Sequence, residues 1–287
     1  MRADVSSVWE DPDKVREFGE EEVTNLLQES LEAFRDERNL LRIGRGKTLF
    51  VGDTHGNFSA TKEAFRAFSS GGFDRIVFLG DYVDRGEEQL ENANFVLSLR
   101  LAKPERVLLL RGNHETFSTN SRYGFRQAVA EKLPEGFFVL YNRAFSYLPL
   151  AAVTWDGIFA VHGGIAEGLD SIGQIDGLPR GELEPTSDLV LQLLWNDPSE
   201  EVDGFAFNDQ RGGFCYYGQG ALAKFMDANG LRMLLRSHEV FLEGFKRFFG
   251  GKLLSIFSST GYCGLPIKGK VACLSSDGEV SLMGIEG

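Results

Sequence analysis

All four histidines of this 287-residue chain sit in short clusters of glycine, aspartate, asparagine or serine. They are Gly52-Asp53-Thr54-His55-Gly56, Gly112-Asn113-His114-Glu115, His162-Gly163-Gly164 and Arg236-Ser237-His238-Glu239. A fifth cluster, Gly80-Asp81-Tyr82-Val83-Asp84-Arg85-Gly86, adds two carboxylates and a guanidinium. Histidine titrates near neutrality and is the commonest metal ligand, so a chain this sparing with it points to metal or phosphate chemistry at each copy. On an extended segment, Asp53 and His55 fall on the same side, the minimum geometry for two ligands to one metal. Asp81, one strand over, offers two oxygens to bridge two cations, with Asn113, His162 and His238 completing a second site. The ligand atoms are oxygen and nitrogen only, which favours manganese, iron or zinc over copper or a zinc finger. Asp-x-His-Gly by itself reads as a turn. The clusters together, in this order, read as a site.

The intervening segments must position these groups. Residues 22–38 carry Val23, Leu26, Leu27, Leu31 and Phe34 on one helical stripe. A strand-turn-helix pattern follows: Thr48 to Val51 leads to Asp53, with a helix expected over 59–68. Ile76 to Leu79 leads to Asp81, with a helix over 88–102, and Val107 to Leu110 leads to Asn113. Apolar strands alternating with helices predict a buried parallel sheet, whose ligand crevice lies beyond the carboxyl ends of the strands. In the second half, Asp156-Gly157 and Asp277-Gly278 each separate two apolar runs, the signature of a tight hairpin. With 231–235 and 253–257 added, this half reads as mainly antiparallel, interrupted by helices at 187–195 and at 219–229, the latter closed by Gly230. The expected fold class is α/β: two packed sheets, a β-sandwich flanked by helices, in one domain over 1–287 with residues 1–45 as an N-terminal helical segment on the core.

A net charge of −12 argues against a broad nucleic-acid surface. No apolar run approaches the roughly 20 residues of a membrane span, and Met-Arg-Ala-Asp-Val lacks the apolar stretch of a secretory leader. Cys215, Cys263 and Cys273 have no CxxC spacing, as expected of a cytoplasmic protein without a disulfide framework. Twenty-four phenylalanines against three tryptophans predict a core of aromatic packing.

Gly-Asp-x-His-Gly, Gly-Asp-Tyr-Val-Asp-Arg-Gly and Arg-Gly-Asn-His-Glu closely resemble the signature of the metal-dependent serine/threonine phosphoprotein phosphatases. Leu194-Trp195-Asn196-Asp197-Pro198, His-Gly-Gly, Arg-Ser-His-Glu, Arg122 to Phe125 and Tyr262-Cys263-Gly264 extend the match from about residue 20 to the end. The likeness is to the protein phosphatase 1/2A-like branch and its archaeal relatives. It implies the metallophosphoesterase (calcineurin-like) fold and hydrolysis of phosphoserine and phosphothreonine in proteins, by direct in-line attack of a metal-bound water or hydroxide. Two divalent ions are implied, manganese in vitro and iron or zinc as native alternatives. The resemblance assigns the first to Asp53, His55 and bridging Asp81, and the second to Asp81, Asn113, His162 and His238. It makes His114 the general acid, Asp84 its orienting carboxylate, and Arg85, Arg211 and Asn113 the phosphate-binding groups, with Tyr262 and Tyr123 at the substrate cleft. Phosphorylated proteins are the implied partners, and the motifs name no regulatory subunit.

Elementary chemistry agrees. Serine and threonine alkoxides are poor leaving groups, so a positioned imidazole is worth roughly 10²–10⁴ in rate. Arginine's planar fork matches phosphate oxygens bidentately, and no Cys-x5-Arg loop supports a thiolate route.

The chain departs from the family in three places. Ser258-Ser259-Thr260-Gly261-Tyr262-Cys263 lacks the usual proline and asparagine. Asn208-Asp209-Gln210-Arg211 carries one extra residue. Asn196 replaces a serine, read as a harmless change. Cys263 reads as a packed small hydrophobe, Trp195 as core, Glu115 as orienting its loop and Arg111 as structural. Two rival functions are a dinucleoside polyphosphate hydrolase, whose usual Gly-Asn-His-Asp is Gly-Asn-His-Glu here, and an inactive phosphoprotein-binding scaffold, which predicts a lost ligand where none is lost.

Overall fold

The computed structural model describes residues 5–286. Met1 to Asp4 and Gly287, which enter the readings of the leader and of a 1–287 unit, lie outside the described residues. In chain order the first strands are β1 (Leu40–Ile43), β2 (Thr48–Val51), β3 (Arg75–Phe78), β4 (Val107–Leu109), β5 (Ala151–Thr154), β6 (Ile158–Val161) and β7 (Asp197–Pro198). They are followed by β8 (Phe205–Asn208), β9 (Phe214–Tyr217), β10 (Met233–Arg236), β11 (Phe245–Phe248), β12 (Leu253–Ile256), β13 (Lys270–Leu274) and β14 (Val280–Gly284). The helices are α1 (Val5–Glu10), α2 (Glu20–Arg35), α3 (Phe58–Ser70), α4 (Gln89–Ala102), α5 (Phe117–Asn120), α6 (Phe125–Lys132), α7 (Gly136–Phe145), α8 (Asp188–Trp195) and α9 (Gln219–Asn229).

One sheet has the order β14-β13-β2-β3-β4, the other β1-β5-β6-β10-β12-β11, and β7-β9-β8 form a small third. β2, β3 and β4 run parallel, as the alternation of strands and helices predicts. The two large sheets pack face to face: Phe50, Val77, Leu79 and Leu110 meet Ile158, Ala160, Leu235 and Leu254 in a shared core. Helices cover the outer faces. α1 to α7 build an aromatic layer on the first sheet, where Phe58, Phe65 and Phe95 pack edge-to-face and Phe125 sits against Tyr141 and Phe145. α8 and α9 cover the second. Of the expected stripe α2 buries Val23, Leu26, Leu27 and Phe34 and leaves Leu31 half-buried, and the Gly19 N–H at its start donates to the Glu22 carboxylate (3.0 Å). α9 ends at Gly230 with φ of 61°, the left-handed turn that closes a helix. The N-terminal segment supplies β1, an edge strand parallel to β5, as well as helices.

By its pairings the second half is mainly antiparallel, as expected, but the middle of its largest sheet is parallel. β6, β10 and β12 are parallel neighbours, as are β1 and β5 and β7 and β9, whereas β5-β6, β8-β9, β11-β12, β13-β14 and β13-β2 oppose. Both Asp-Gly turns make the hairpins that the dipeptides predict. Between β6 and β10, however, the chain crosses over through α8, the small sheet and α9, which restores the parallel sense. Short apolar runs carry no sign of direction, so only the turn residues were legible. No described helix is long and apolar enough to cross a membrane.

Candidate metal centre

The carboxyl ends of β2, β3 and β4 meet the ends of β6 and β10 at one edge of the sandwich, and all four histidines lie there. Asp53 follows β2 and makes an isolated parallel bridge to Phe257. The chain does not stay extended to His55. That residue has φ of 43° and Gly56 has 65°, because the backbone turns into α3 at once, with the Asn57 side chain accepting from the Ala60 N–H. A lattice of hydrogen bonds, not strand alternation, aims His55: its N–H donates to the Asp81 carbonyl (2.9 Å) and its Nδ1 meets the Val83 carbonyl (2.9 Å). With Nδ1 donating there, Nε2 is left as a lone pair toward Asp81 Oδ2 (3.5 Å) and Asp53 Oδ2 (3.8 Å).

Asp81 adopts φ of 57°. Glu115 braces it, accepting from the N–H groups of Asp81 (2.7 Å), Tyr82 (2.9 Å) and Gly112 (3.0 Å), which fits its expected role as a loop organiser. The glycines here are steric requirements. A Cβ on Gly112 would lie 2.2 Å from Asp81 Oδ1, and one on Gly80, at φ of 106°, 2.4 Å from the Gly112 nitrogen. Arg111 is buried and bonds the Glu115 and Glu182 carbonyls, a structural tie as expected.

A second convergence lies beside the first. His162 donates through Nδ1 to the Leu79 carbonyl (3.0 Å), so its Nε2 faces Asn113 Oδ1 (2.8 Å), His238 Nδ1 (3.2 Å) and Asp81 Oδ1 (3.4 Å). Four acceptor atoms crowding one point leave room for a shared cation. Two groups of metal-ligand spacing result: His55, Asp81 and His114, and Asp81, His162 and His238, all buried. Asp81 belongs to both.

The electrostatics point the same way. Burial pushes His55 down to about 3, and burial and the nearby Arg211 lower His238, so both imidazoles are neutral donors. Burial and Asp81 together raise Asp53. Burial alone would raise Asp81 too, but His162, His114 and His55 overcome it and hold that carboxyl low. Asp53 Oδ2 and His238 Nε2 are buried with no hydrogen-bond partner. The orphaned Asp53 carboxylate oxygen, beside a second buried carboxylate, fits a divalent cation.

His114 stands at the rim. Its N–H donates to Asp81 Oδ1 (2.9 Å), and its Nδ1 lies 2.5 Å from Asp84 Oδ2, leaving Nε2 toward the cleft and 4.0 Å from Asp81 Oδ2. Burial lowers its basicity, but Asp81 and Asp84 prevail and raise it. Asp84 is fixed in turn by N–H donation from Phe125 to its Oδ1 (3.0 Å) and from its own backbone to Gln89 (2.9 Å). Asp84 and Arg85 both have left-handed backbones, φ of 69° and 72°, and Gly86 is wedged against the His55 carbonyl.

The Arg85 guanidinium lies 4.1 Å over the Tyr123 ring, whose centroid is 5.4 Å from that of His114. No described carboxylate pairs with Arg85. Tyr262 stacks obliquely near His55, ring centroids 5.0 Å apart, so both expected cleft tyrosines flank the site. Arg211 lies near His238, its Nε bonded to Asp197 Oδ2 (2.8 Å). Asp197 also accepts from buried Arg236 (2.9 Å) and from Asn208 (3.2 Å), a hub that sequence reasoning quoted within a motif without giving it work.

Three expectations change, at Cys263, at Trp195 and at the Asp53/His55 pair. Cys263 is exposed, because the 261–264 turn, with φ of 63° at Gly261 and 50° at Cys263, points it outward. Trp195 is half-buried, stacked on Phe214 (5.0 Å) with its edge to His238 (5.6 Å). Asn196 is a buried strut: its Nδ2 bonds the Ile165 carbonyl (2.9 Å) and its Oδ1 takes the Cys215 N–H (2.9 Å). The Asp53/His55 pair is set by a turn instead of an extended segment. The sequence reading also missed Ser258, whose hydroxyl accepts the Gly52 N–H (2.8 Å) and so ties the Tyr262 loop to the Asp53 turn.

A sequence profile described as calcineurin-like phosphoesterase matches residues 46–241. Among solved structures, a serine/threonine phosphatase from Saccharomyces cerevisiae with similarity to human phosphatase PP5 superposes with a TM-score of 0.88. It is 24% identical over 100% of this chain and 96% of that one. A cold-active protein-tyrosine phosphatase from a psychrophilic Shewanella species gives 0.60, at 17% identity over 89% and 84% of the two chains. A putative diadenosine tetraphosphatase gives 0.50, at 15% identity over 88% and 100%. At these identities the likeness is one of fold.

Proposed function

The chain belongs to the calcineurin-like phosphoesterases, and on that premise we propose that it hydrolyses phosphoserine and phosphothreonine in proteins with the help of two divalent metal ions, manganese serving in vitro. One observation carries this reading. Two groups of ligand spacing, His55-Asp81-His114 and Asp81-His162-His238, share Asp81, and Asp84 holds His114 of the first by its Nδ1. Asp53, His55 and Asp81 would hold one ion, and Asp81, Asn113, His162 and His238 the other. Such ions, when bound, lower the pKa of a coordinated water and neutralise phosphoryl oxygens.

The chain's own residues do the rest. Arg85 and Arg211 would grip the phosphate oxygens. His114, held at Nδ1 by Asp84, presents Nε2 to the leaving alkoxide and gives it a proton as its bond to phosphorus breaks. That proton matters most for alkyl leaving groups, hence the proposed preference for serine and threonine esters.

Purified protein loaded with Mn²⁺ is expected to cleave p-nitrophenyl phosphate and phosphoserine and phosphothreonine peptides. Cleavage of a dinucleoside polyphosphate in preference to the peptides would favour the rival reading suggested by the diadenosine tetraphosphatase-like fold. Metal-replete protein inert to all of these would end the catalytic reading.

For phosphate gripping, Arg85→Ala and Arg211→Ala should each weaken transition-state binding by about 1.5–3 kcal/mol, the range for a hydrogen bond to a charged group, while metal content is retained. Arg211 has a second occupation in its bond to Asp197. Near-normal kcat/KM in Arg211→Ala would show that it serves Asp197 alone and leave Arg85 as the clamp.

A further inference from the structure

Beside the metal centre, past Arg85, a cavity of about 360 Å³ opens between two loops. His55 and Arg85 stand in its lining together with Tyr262, Cys263, Glu87 and Glu88. Its volume exceeds what a phosphoryl group needs and suits one further side chain of a substrate. The two acids differ. Glu88 is occupied by an ion pair with Arg16. Glu87 is exposed and pairs with no described residue.

The backbone on both sides of Glu87 is held in place. The Gly86 backbone is pressed against His55 and Gly56, the Glu88 N–H donates to the Gly56 carbonyl (3.1 Å), and the Arg85 N–H donates to the Tyr123 carbonyl (3.1 Å). The loop therefore delivers opposite charges two residues apart into one cleft. Arg85 leans toward Tyr123, on the His114 side, and leaves the Glu87 carboxylate unneutralised. A carboxylate lining the same cavity as the phosphate-binding Arg85 attracts a cation borne by the same substrate and repels an anion.

We propose that this cavity is a subsite for a residue flanking the phosphorylated one, and that Glu87 gives it a preference for lysine or arginine. The inference rests on the phosphoprotein reading above and extends it from the reacting group to its neighbours. The test is a set of short phosphothreonine peptides that carry Arg, Ala or Glu at each of three positions on either side of the phosphoresidue. These are assayed for kcat/KM with Mn²⁺-loaded enzyme and with Glu87→Gln, Glu87→Lys and Glu105→Lys. Glu105 is exposed just before β4, at the amino end of the sheet and away from the site, so its replacement makes the same change in net charge at a remote place.

At one flanking position or more, Arg should exceed Ala, and Ala exceed Glu, by on the order of two- to fivefold, the range of an exposed ion pair. Glu87→Gln should flatten that ratio and Glu87→Lys invert it, whereas Glu105→Lys should leave it in place. An Arg-to-Glu ratio that Glu87→Lys does not change, or that Glu105→Lys changes equally, would overturn the subsite while leaving the phosphatase reading intact. Hydrolysis of p-nitrophenyl phosphate with no phosphopeptide cleaved would remove the phosphoprotein reading, and this inference with it.

Discussion

His114→Asn should cut kcat on phosphoserine and phosphothreonine peptides by roughly 10²–10⁴, the usual contribution of a positioned general acid. The reason is geometric. Nδ1 of His114 is committed to Asp84 at 2.5 Å, and Nε2 faces the cleft, so the only titrating atom left to the substrate is the one aimed at it. Asp81 and Asp84 raise its pKa against the opposing effect of burial, which favours the protonated ring. Activity that needs this proton is complete below the raised pKa and fades as pH climbs through it. Loss on p-nitrophenyl phosphate should be smaller, because that leaving group departs with little help. Metal content, measured by elemental analysis, should stay at the wild-type value. Equal losses on both substrates would show that His114 is not the acid; loss of metal would show that it is a ligand, the role its place in the His55-Asp81-His114 group also allows.

Asp81→Asn should have the wider effect. Asp81 is the one residue common to both ligand groups, its Oδ2 toward His55 and its Oδ1 toward His162. Asparagine keeps the shape but removes the charge and replaces one acceptor oxygen with an NH₂ donor. Affinity for both ions should fall by more than the 10- to 100-fold typical for losing an outer partner of a ligand, and kcat/KM should collapse with it. Wild-type protein should gain thermal stability on titration with Mn²⁺, since a ligand that binds only the folded state stabilises it. The variant should gain far less. A variant that still binds two equivalents of Mn²⁺ at wild-type affinity would contradict the bridging role.

The β2-β3-β4 half of this architecture was legible because its information is local. Each apolar strand ends on a polar cluster, and right-handed crossovers leave few ways to arrange them. The Asp-Gly turns of the hairpins were legible for the same reason. The direction of β10 and β12 was not, since it depends on a crossover spanning α8, the small sheet and α9, which no run of residues encodes. The ligand residue types were readable from His55, Asp81 and His162. The means of aiming them was not: left-handed backbone at His55, Asp81, Asp84 and Arg85 follows from contacts such as Gly80 against Gly112, known only once the loops meet. Cys263 was misread because burial of a loop residue is a tertiary property. Asp197 was overlooked because its partners, Arg211, Arg236 and Asn208, come together only in the fold.

The placement of the centre on the seam between the two sheets also has a consequence for the order of assembly. His55, Asp81 and His114 all hang from the β2-β3-β4 sheet, whereas the other group joins Asp81 to His162 and His238, which follow β6 and β10 of the opposite sheet. A nascent chain could complete the first group from its early half alone. The second cannot exist until β10 has been laid into its sheet and the two sheets have docked, a late closure between distant parts of the chain. Filling that second position would therefore be a chemical record that the sandwich has closed in register, and an ion there would act as a rivet across a seam held by apolar contact and by hydrogen bonds such as those from His162 to the Leu79 carbonyl and from the His238 N–H to Asp53.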